Sequence, residues 1–154
     1  MSTVVLVAAL VAAGLLAGLF YAYACSVMPG LARGDDKTFV EAMRGINVAI
    51  VNPVFMLSFL GAPVISVVAA VVTDGDARWW AVASAVLAVA TVAVTFAGNI
   101  PLNNAIDRVG APDEIADLGA VRRAFEPGWV RLNVVRAVTS TLATAGFAWA
   151  ALVA

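Results

Sequence analysis

The chain has 154 residues, 63% hydrophobic and only 12% charged, about half the charge of an ordinary soluble domain. Its net charge of −1 offers no basic field for nucleic acid. With no histidine and one cysteine, Cys25, the composition excludes an intrachain disulfide, zinc fingers, the His-carboxylate iron triad and Ser-His or Cys-His dyads, and no metal or cofactor site is expected. A small integral membrane protein remains, a single domain over residues 1–154.

No charged side chain occurs from Met1 to Ala32. Crossing about 30 Å of hydrocarbon takes about 20 apolar residues, so a first span is predicted at 3–28. A secretory signal would be shorter and preceded by Lys or Arg, and Ala22-Tyr23-Ala24 before Cys25 suits a lipoprotein signal poorly. Gly14 and Gly18 form a Gly-x-x-x-Gly pair suited to helix contact or a homo-oligomer. Phe20, Tyr21 and Tyr23 suit an interfacial aromatic belt, and Tyr21 is also a candidate substrate contact. Met28-Pro29-Gly30 then reads as a break.

Over Asp36–Asn52, Phe39, Val40, Met43, Ile46 and Ile50 share one helical face, with Lys37, Glu41 and Arg44 opposite. The pattern predicts a short amphipathic helix, and Asn47 falls on its apolar side. Asn52 before Pro53 fits an N-cap with proline at the first helical position. A second span follows at 53–73, then the tight turn Asp74-Gly75-Asp76-Ala77-Arg78 and a third span at 79–98, with Trp79 and Trp80 at belt depth. At Asn99-Ile100-Pro101-Leu102-Asn103-Asn104 two readings stand: the span ends here, or a broken helix end turns its amides into a polar pocket. Residues 113–126 repeat the amphipathic pattern with Ile115, Leu118, Val121 and Phe125. A fourth span is predicted at 129–152, with Arg131 and Arg136 in its first turns. The apolar runs lack the alternation of a closed barrel, so the expected fold is an all-α, four-helix transmembrane bundle with two amphipathic helices on one side.

Arg33, Lys37, Arg44, Arg108, Arg122 and Arg123 lie in the first and third loops, whereas the second loop has only Arg78. The positive-inside rule places the long loops in the cytoplasm and both termini outside the cell membrane. Each half also runs span, proline, amphipathic segment, span, a faint internal repeat.

Polar groups at membrane depth are costly unless paired, so the opening of the last span stands out. Trp129, Asn133, Arg136 and Ser140 fall on one helical face, and Arg136 lies about 10 Å along the axis from Trp129. Either Arg136 snorkels to water while Asn133 bonds a neighbouring helix, or the stripe fixes a cation at the mouth of a cavity. Asn99 and Asn103 share a face if the third helix continues.

Taken together, Ala17 to Tyr23, Met28-Pro29-Gly30-Leu31, Phe39 to Phe55, Asn99 to Asn103, and Trp129 with Asn133 and Arg136 resemble the anthrone-oxygenase-like family of small four-span membrane proteins. The resemblance implies conversion of anthrones to anthraquinones without metal or flavin. It implies catalytic roles for Arg136, Asn133 and Asn99, and substrate contacts at Trp129 and Asn103; Asn47 and Tyr21 are further candidate substrate contacts. A hydrophobic aromatic small molecule, dioxygen and membrane lipid are the expected partners. A deprotonated anthrone can itself supply electrons to oxygen; the protein then provides a dry cavity and positive charge near the enolate oxygen. The base is open between Glu126, Asp107 and water. The alternatives are a non-catalytic membrane binding or assembly protein and a small transporter accessory.

Overall fold

The computed structural model describes residues 2–154, and every regular element among them is helical. In chain order these are α1 (Ser2–Leu31), α2 (Asp36–Ile50), α3 (Pro53–Val72), α4 (Ala77–Asp107) and α5 (Leu118–Val153), with a 3-10 turn at Pro112–Glu114. Three of them, α1, α3 and α4, are long and apolar enough to cross a membrane. Helix α5 falls short of them because Arg136, Thr139, Ser140, Thr141 and Thr144 dilute its apolar residues.

The long helices pack small side in and large side out. Helix α4 buries Ala77, Ala81, Ser84, Ala85, Ala88 and Thr91, and α3 buries Ala62, Ser66 and Ala69 beside Phe59. Val54, Leu57, Val64 and Val71 of α3 are exposed. A water-soluble protein would reverse this order. In lipid, helices gain nothing by hiding Val and Leu, and small residues let backbones approach closely. Helix α1 packs against α3 and α5, and α4 packs against the same two. A Cβ on Gly98 would come within 2.6 Å of Leu132 Cδ1, so α4 and α5 meet through that glycine. Gly14 faces Thr144 of α5, whereas Gly18 has nothing within 4 Å.

The breaks expected at Pro29 and Pro101 do not occur. Each proline follows one wide π-helical turn, Tyr23–Val27 in α1 and Thr95–Asn99 in α4. There Met28 N–H donates to the Tyr23 carbonyl and Ile100 N–H to the Thr95 carbonyl. A proline ring crowds the carbonyl four residues earlier; for Pro29 and Pro101 these are Cys25 and Ala97, both inside the widened turn, so the helix runs on.

Helix α2 matches its predicted range and closes one end of the molecule. Asp35 caps it, accepting from Thr38 N–H at 2.7 Å, and this backbone bond holds the Asp35 carboxyl below its ordinary range. Phe39, Val40 and Met43 join Met28, Ile106, Phe125 and Trp129 in one buried cluster. The segment 113–126 is not the separate amphipathic helix expected. Asp117 caps a helix from Leu118 that continues through Pro127 into the last predicted span. The bond Pro127 omits would reach Arg123, an exposed residue whose carbonyl can take water instead.

Two arginines tie this end together. Arg44 of α2 donates to the Gly110 and Asp107 carbonyls at the end of α4. Arg122 of α5 donates to the Ala32 carbonyl (3.0 Å) and Gly34 carbonyl (3.1 Å) beyond α1, and to Asp36 and Glu126. The Glu126 hydrogen bond is the main reason its guanidinium is held above its ordinary value. Arg122→Ala is expected to cost about 2 kcal/mol, since hydrogen bonds to a charged group are lost and helix-end carbonyls left open. Arg122→Lys should restore little, because an ammonium lacks the planar fork. Unfolding midpoints in detergent micelles check both.

Candidate functional site

Where the small-residue packing gives way to the α2 end, a cavity of about 340 Å³ lies between α1, α2, α3, α4 and α5. That is within the roughly 300–1,000 Å³ of small-molecule pockets. Its walls are aromatic: Phe20, Tyr23, Phe55, Phe59, Phe96 and Trp129. Phe55 and Phe59 stack at 5.3 Å with an interplanar angle of 16°, and Tyr23 meets Trp129 at 5.6 Å. Flat faces at this spacing suit a flat apolar ligand. The polar lining is Asn47, Thr95, Asn103, Asn104, Asp107 and Arg136.

The wide turn of α4 sets part of this lining. Eight residues of a regular helix overshoot two turns by about 80°. Absorbing one residue in the turn returns Asn103 close to the face of Thr95, and Asp107 follows one turn later. Asn103 Oδ1 accepts the Trp129 indole N–H at 2.9 Å, which fixes the ring as a wall.

Arg136 is 6% exposed, yet among the described residues no carboxylate lies within 4.0 Å of it. Its guanidinium lies over Phe20 at 4.3 Å and within 5.2 Å of the Trp129 ring, cation–π contacts that are strongest when water is absent. Nη2 donates to Asn133 Oδ1 at 2.9 Å, and Asn133 Nδ2 donates in turn to the Phe20 carbonyl at 3.0 Å. The Nε donor is buried without a partner. Neutral groups thus aim the cation and none cancels it.

The sequence-predicted residues divide by position. Arg136, Trp129, Asn103 and Asn47 line the cavity. Asn133 and Asn99 are fully buried outside its lining: Asn133 carries Arg136, and Asn99 Nδ2 reaches the Trp129 carbonyl only at 3.4 Å, leaving its Oδ1 unpartnered. Tyr21 is not brought to the site. It is 63% exposed, because two helical residues turn about 200°, and Tyr23 takes the place expected of it. Asn104, part of the expected polar stretch, and Asp107, one of the two carboxylates considered as base, both line the cavity, as does Thr95, which the sequence reading did not single out. Asp107 continues the Asn99, Asn103 stripe at i+4, a signal hidden by reading Pro101 as a break. Glu126 is held by Arg122 at 2.7 Å and does not line the cavity.

No curated protein and no solved structure matches the chain. The family profile for anthrone oxygenase matches residues 52–146, from the α3 cap through α4 and into the second half of α5. The match contains Asn99, Asn103, Trp129, Asn133 and Arg136 and leaves Phe20, Tyr23 and Asn47 outside. Since it spans more than half of the sequence, the chain belongs to the anthrone oxygenase family.

Proposed function

We propose that the protein is an oxygenase of anthrone-like or other phenolic aromatic substrates, acting within the membrane on dioxygen without a metal or flavin. The observation that carries this reading is Arg136, buried without a counter-ion against an aromatic cavity of ligand size. An uncompensated buried cation calls for an anion. An anthrone provides one when its activated CH loses a proton, for the charge then spreads to the oxygen across the ring. Arg136 stabilises that enolate, which passes an electron to oxygen; the pair recombines to a peroxide on the same carbon. Loss of water from the hydroperoxide leaves the quinone, so CH2 and O2 become C=O and H2O. Asn133 aims the guanidinium, Trp129 and Phe20 shield it from water, and Asn103 holds Trp129. Dispersed donors in a dry site stabilise developing charge more than water does.

The surrounding architecture is read as four spans, with residues 129–152 as the fourth. Helix α5 runs alongside α1 and α4, no charged side chain follows Arg136 in it, and Val138, Leu142, Trp149 and Leu152 are exposed along it. Both long loops then face the cytoplasm and both termini face out, as the arginine distribution asks.

Arg136→Ala is expected to lower quinone formation from 1,8-dihydroxyanthrone at least 100-fold, the size of effect seen on removing one transition-state donor, and Arg136→Lys to recover part of it. Product absorbance and oxygen uptake by purified protein measure this, and equal rates in Arg136→Ala and wild type would remove Arg136 from the chemistry. For topology, single cysteines at positions 76 and 113 in a Cys25→Ala background should react differently with an impermeant maleimide on intact cells. Position 76 should label, whereas position 113 should label only after lysis; the reverse pattern inverts the orientation.

A further inference from the structure

Of the ten acidic residues in the chain, one lines the cavity, Asp107 at the end of α4. Five others at this end are paired with cations. Glu126 and Asp36 pair with Arg122, Asp113 and Glu41 with Lys37, and Asp117 with Arg123. Among the described residues the Asp107 carboxylate has no cation within 4.0 Å. It is held instead by a neutral amide: Asn47 Nδ2 of α2 donates to Oδ1 at 3.2 Å and to Oδ2 at 3.4 Å. Asn47 is itself 9% exposed, on the apolar face of α2. Arg44, one helical turn before it, binds the Asp107 main-chain carbonyl and not its carboxylate. The result is an exposed carboxylate tethered by one amide and not neutralised, with lone pairs left for another partner.

Helix direction turns this carboxylate toward Arg136. Side chains lean toward the N-terminus of their own helix. Helix α4 arrives at the α2 end, so Asp107 leans back into the cavity. Helix α5 leaves that end, so Arg136 leans toward it, placing its guanidinium beside the Trp129 ring one and a half to two turns earlier. The cavity therefore has a cation at its deep end and a carboxylate at its mouth, with aromatic walls between them. An anthrone has its ketone oxygen and its acidic CH on opposite sides of the central ring, a polarity matching this arrangement.

We propose that Asp107 is the proton acceptor of the site and Asn47 its positioning residue. The proposal rests on the oxygenase reading above for the identity of the substrate. In the step assigned to it, the C–H bond across the ring from the ketone breaks. The proton passes to an Asp107 oxygen, and the electron pair moves to the enolate oxygen facing Arg136. After oxygen adds to that carbon, Asp107 returns the proton to the peroxide, which leaves a hydroperoxide and the carboxylate restored. Dehydration to the quinone then releases water and closes the balance.

Proton removal can be observed without oxygen. Under argon in D2O, wild-type protein should speed hydrogen–deuterium exchange at the reactive carbon of 1,8-dihydroxyanthrone above the uncatalysed rate, as followed by NMR. Asp107→Asn should lose that acceleration by 100-fold or more, within the range of general-base contributions, while still binding 9,10-anthraquinone as judged by tryptophan quenching. Asp107→Glu, which keeps a carboxylate, should retain at least one tenth of it, and Asn47→Ala should lose about tenfold. Asp113→Asn, on the surface, should match wild type. Exchange equally fast in Asp107→Asn and wild type would overturn the role of Asp107 and leave the oxygenase reading intact. Loss of exchange together with loss of quinone binding in both Asp107→Asn and Asp107→Glu would also overturn it, as the mark of a structural residue. Wild type that exchanges under argon but forms no quinone in air would sink the oxygenase reading and leave the proton acceptor standing.

Discussion

The site depends on one costly interaction, a guanidinium kept in an apolar interior without an opposing charge. A carboxylate beside Arg136 would make the ion cheaper to bury and useless as an anion receptor. The chain meets the cost with groups that carry no net charge: the Asn133 amide, the faces of Phe20 and Trp129, and a Phe20 carbonyl that fixes Asn133 from α1. Each of these fixes the direction of the guanidinium while leaving its field intact. The same economy appears at the Asp107 carboxylate, which a neutral amide contacts and no cation among the described residues pairs with.

Such a site needs surroundings that keep water out, and the lipid-adapted packing supplies them. Buried alanines and serines bring the helices close, and several hydroxyls are satisfied locally: Thr91 and Thr139 bond each other at 2.7 Å, and Thr95 and Ser140 bond their own helices, while the Ser66 hydroxyl is buried without a partner. Most valines and many leucines face outward, with Leu6, Leu16 and Val40 the buried exceptions. The apolar side chains that would fill the core of a soluble protein are spent on the lipid face, so the interior can hold polar groups wherever a partner is at hand.

Much of this was legible in the sequence because its main signals are local. Charge-free runs locate three apolar helices, and the Asp36–Asn52 periodicity gives α2 to within two residues. The stripe of Trp129, Asn133 and Arg136 needs only the period of one helix, and all three residues are buried. What failed depended on geometry that spacing does not encode. Pro29 and Pro101 were read as breaks because the widened turns that absorb them have no sequence mark. Continuing α4 past Pro101 is what brings Asp107 to the cavity. Asn99 and Asn133 are both buried, but neither lines the cavity: their contacts are to the Trp129 carbonyl and to Arg136, which spacing along one helix does not reveal. Tyr21 and Tyr23 differ by a rotation that an aromatic cluster conceals. The Asn47–Asp107 bond joins positions 60 residues apart, beyond any periodicity.

The position of the cavity follows from the same features. At the far end Ala9, Ala69, Ala81, Ala143 and Ala150 meet in one core cluster around the buried side chains of Leu6 and Phe147. Toward α2 the buried residues become Phe, Met and Trp, and here α1 and α4 each carry a wide turn followed by proline. Both turns contribute their first residue, Tyr23 and Thr95, to the cavity wall. Wide turns and prolines are points at which helices can bend, and the buried side chains here are larger. A bundle zipped by small residues over its whole length would be solid. The paired wide turns let these helices stay packed at one end and part at the other, and Arg136 sits on α5 at that change.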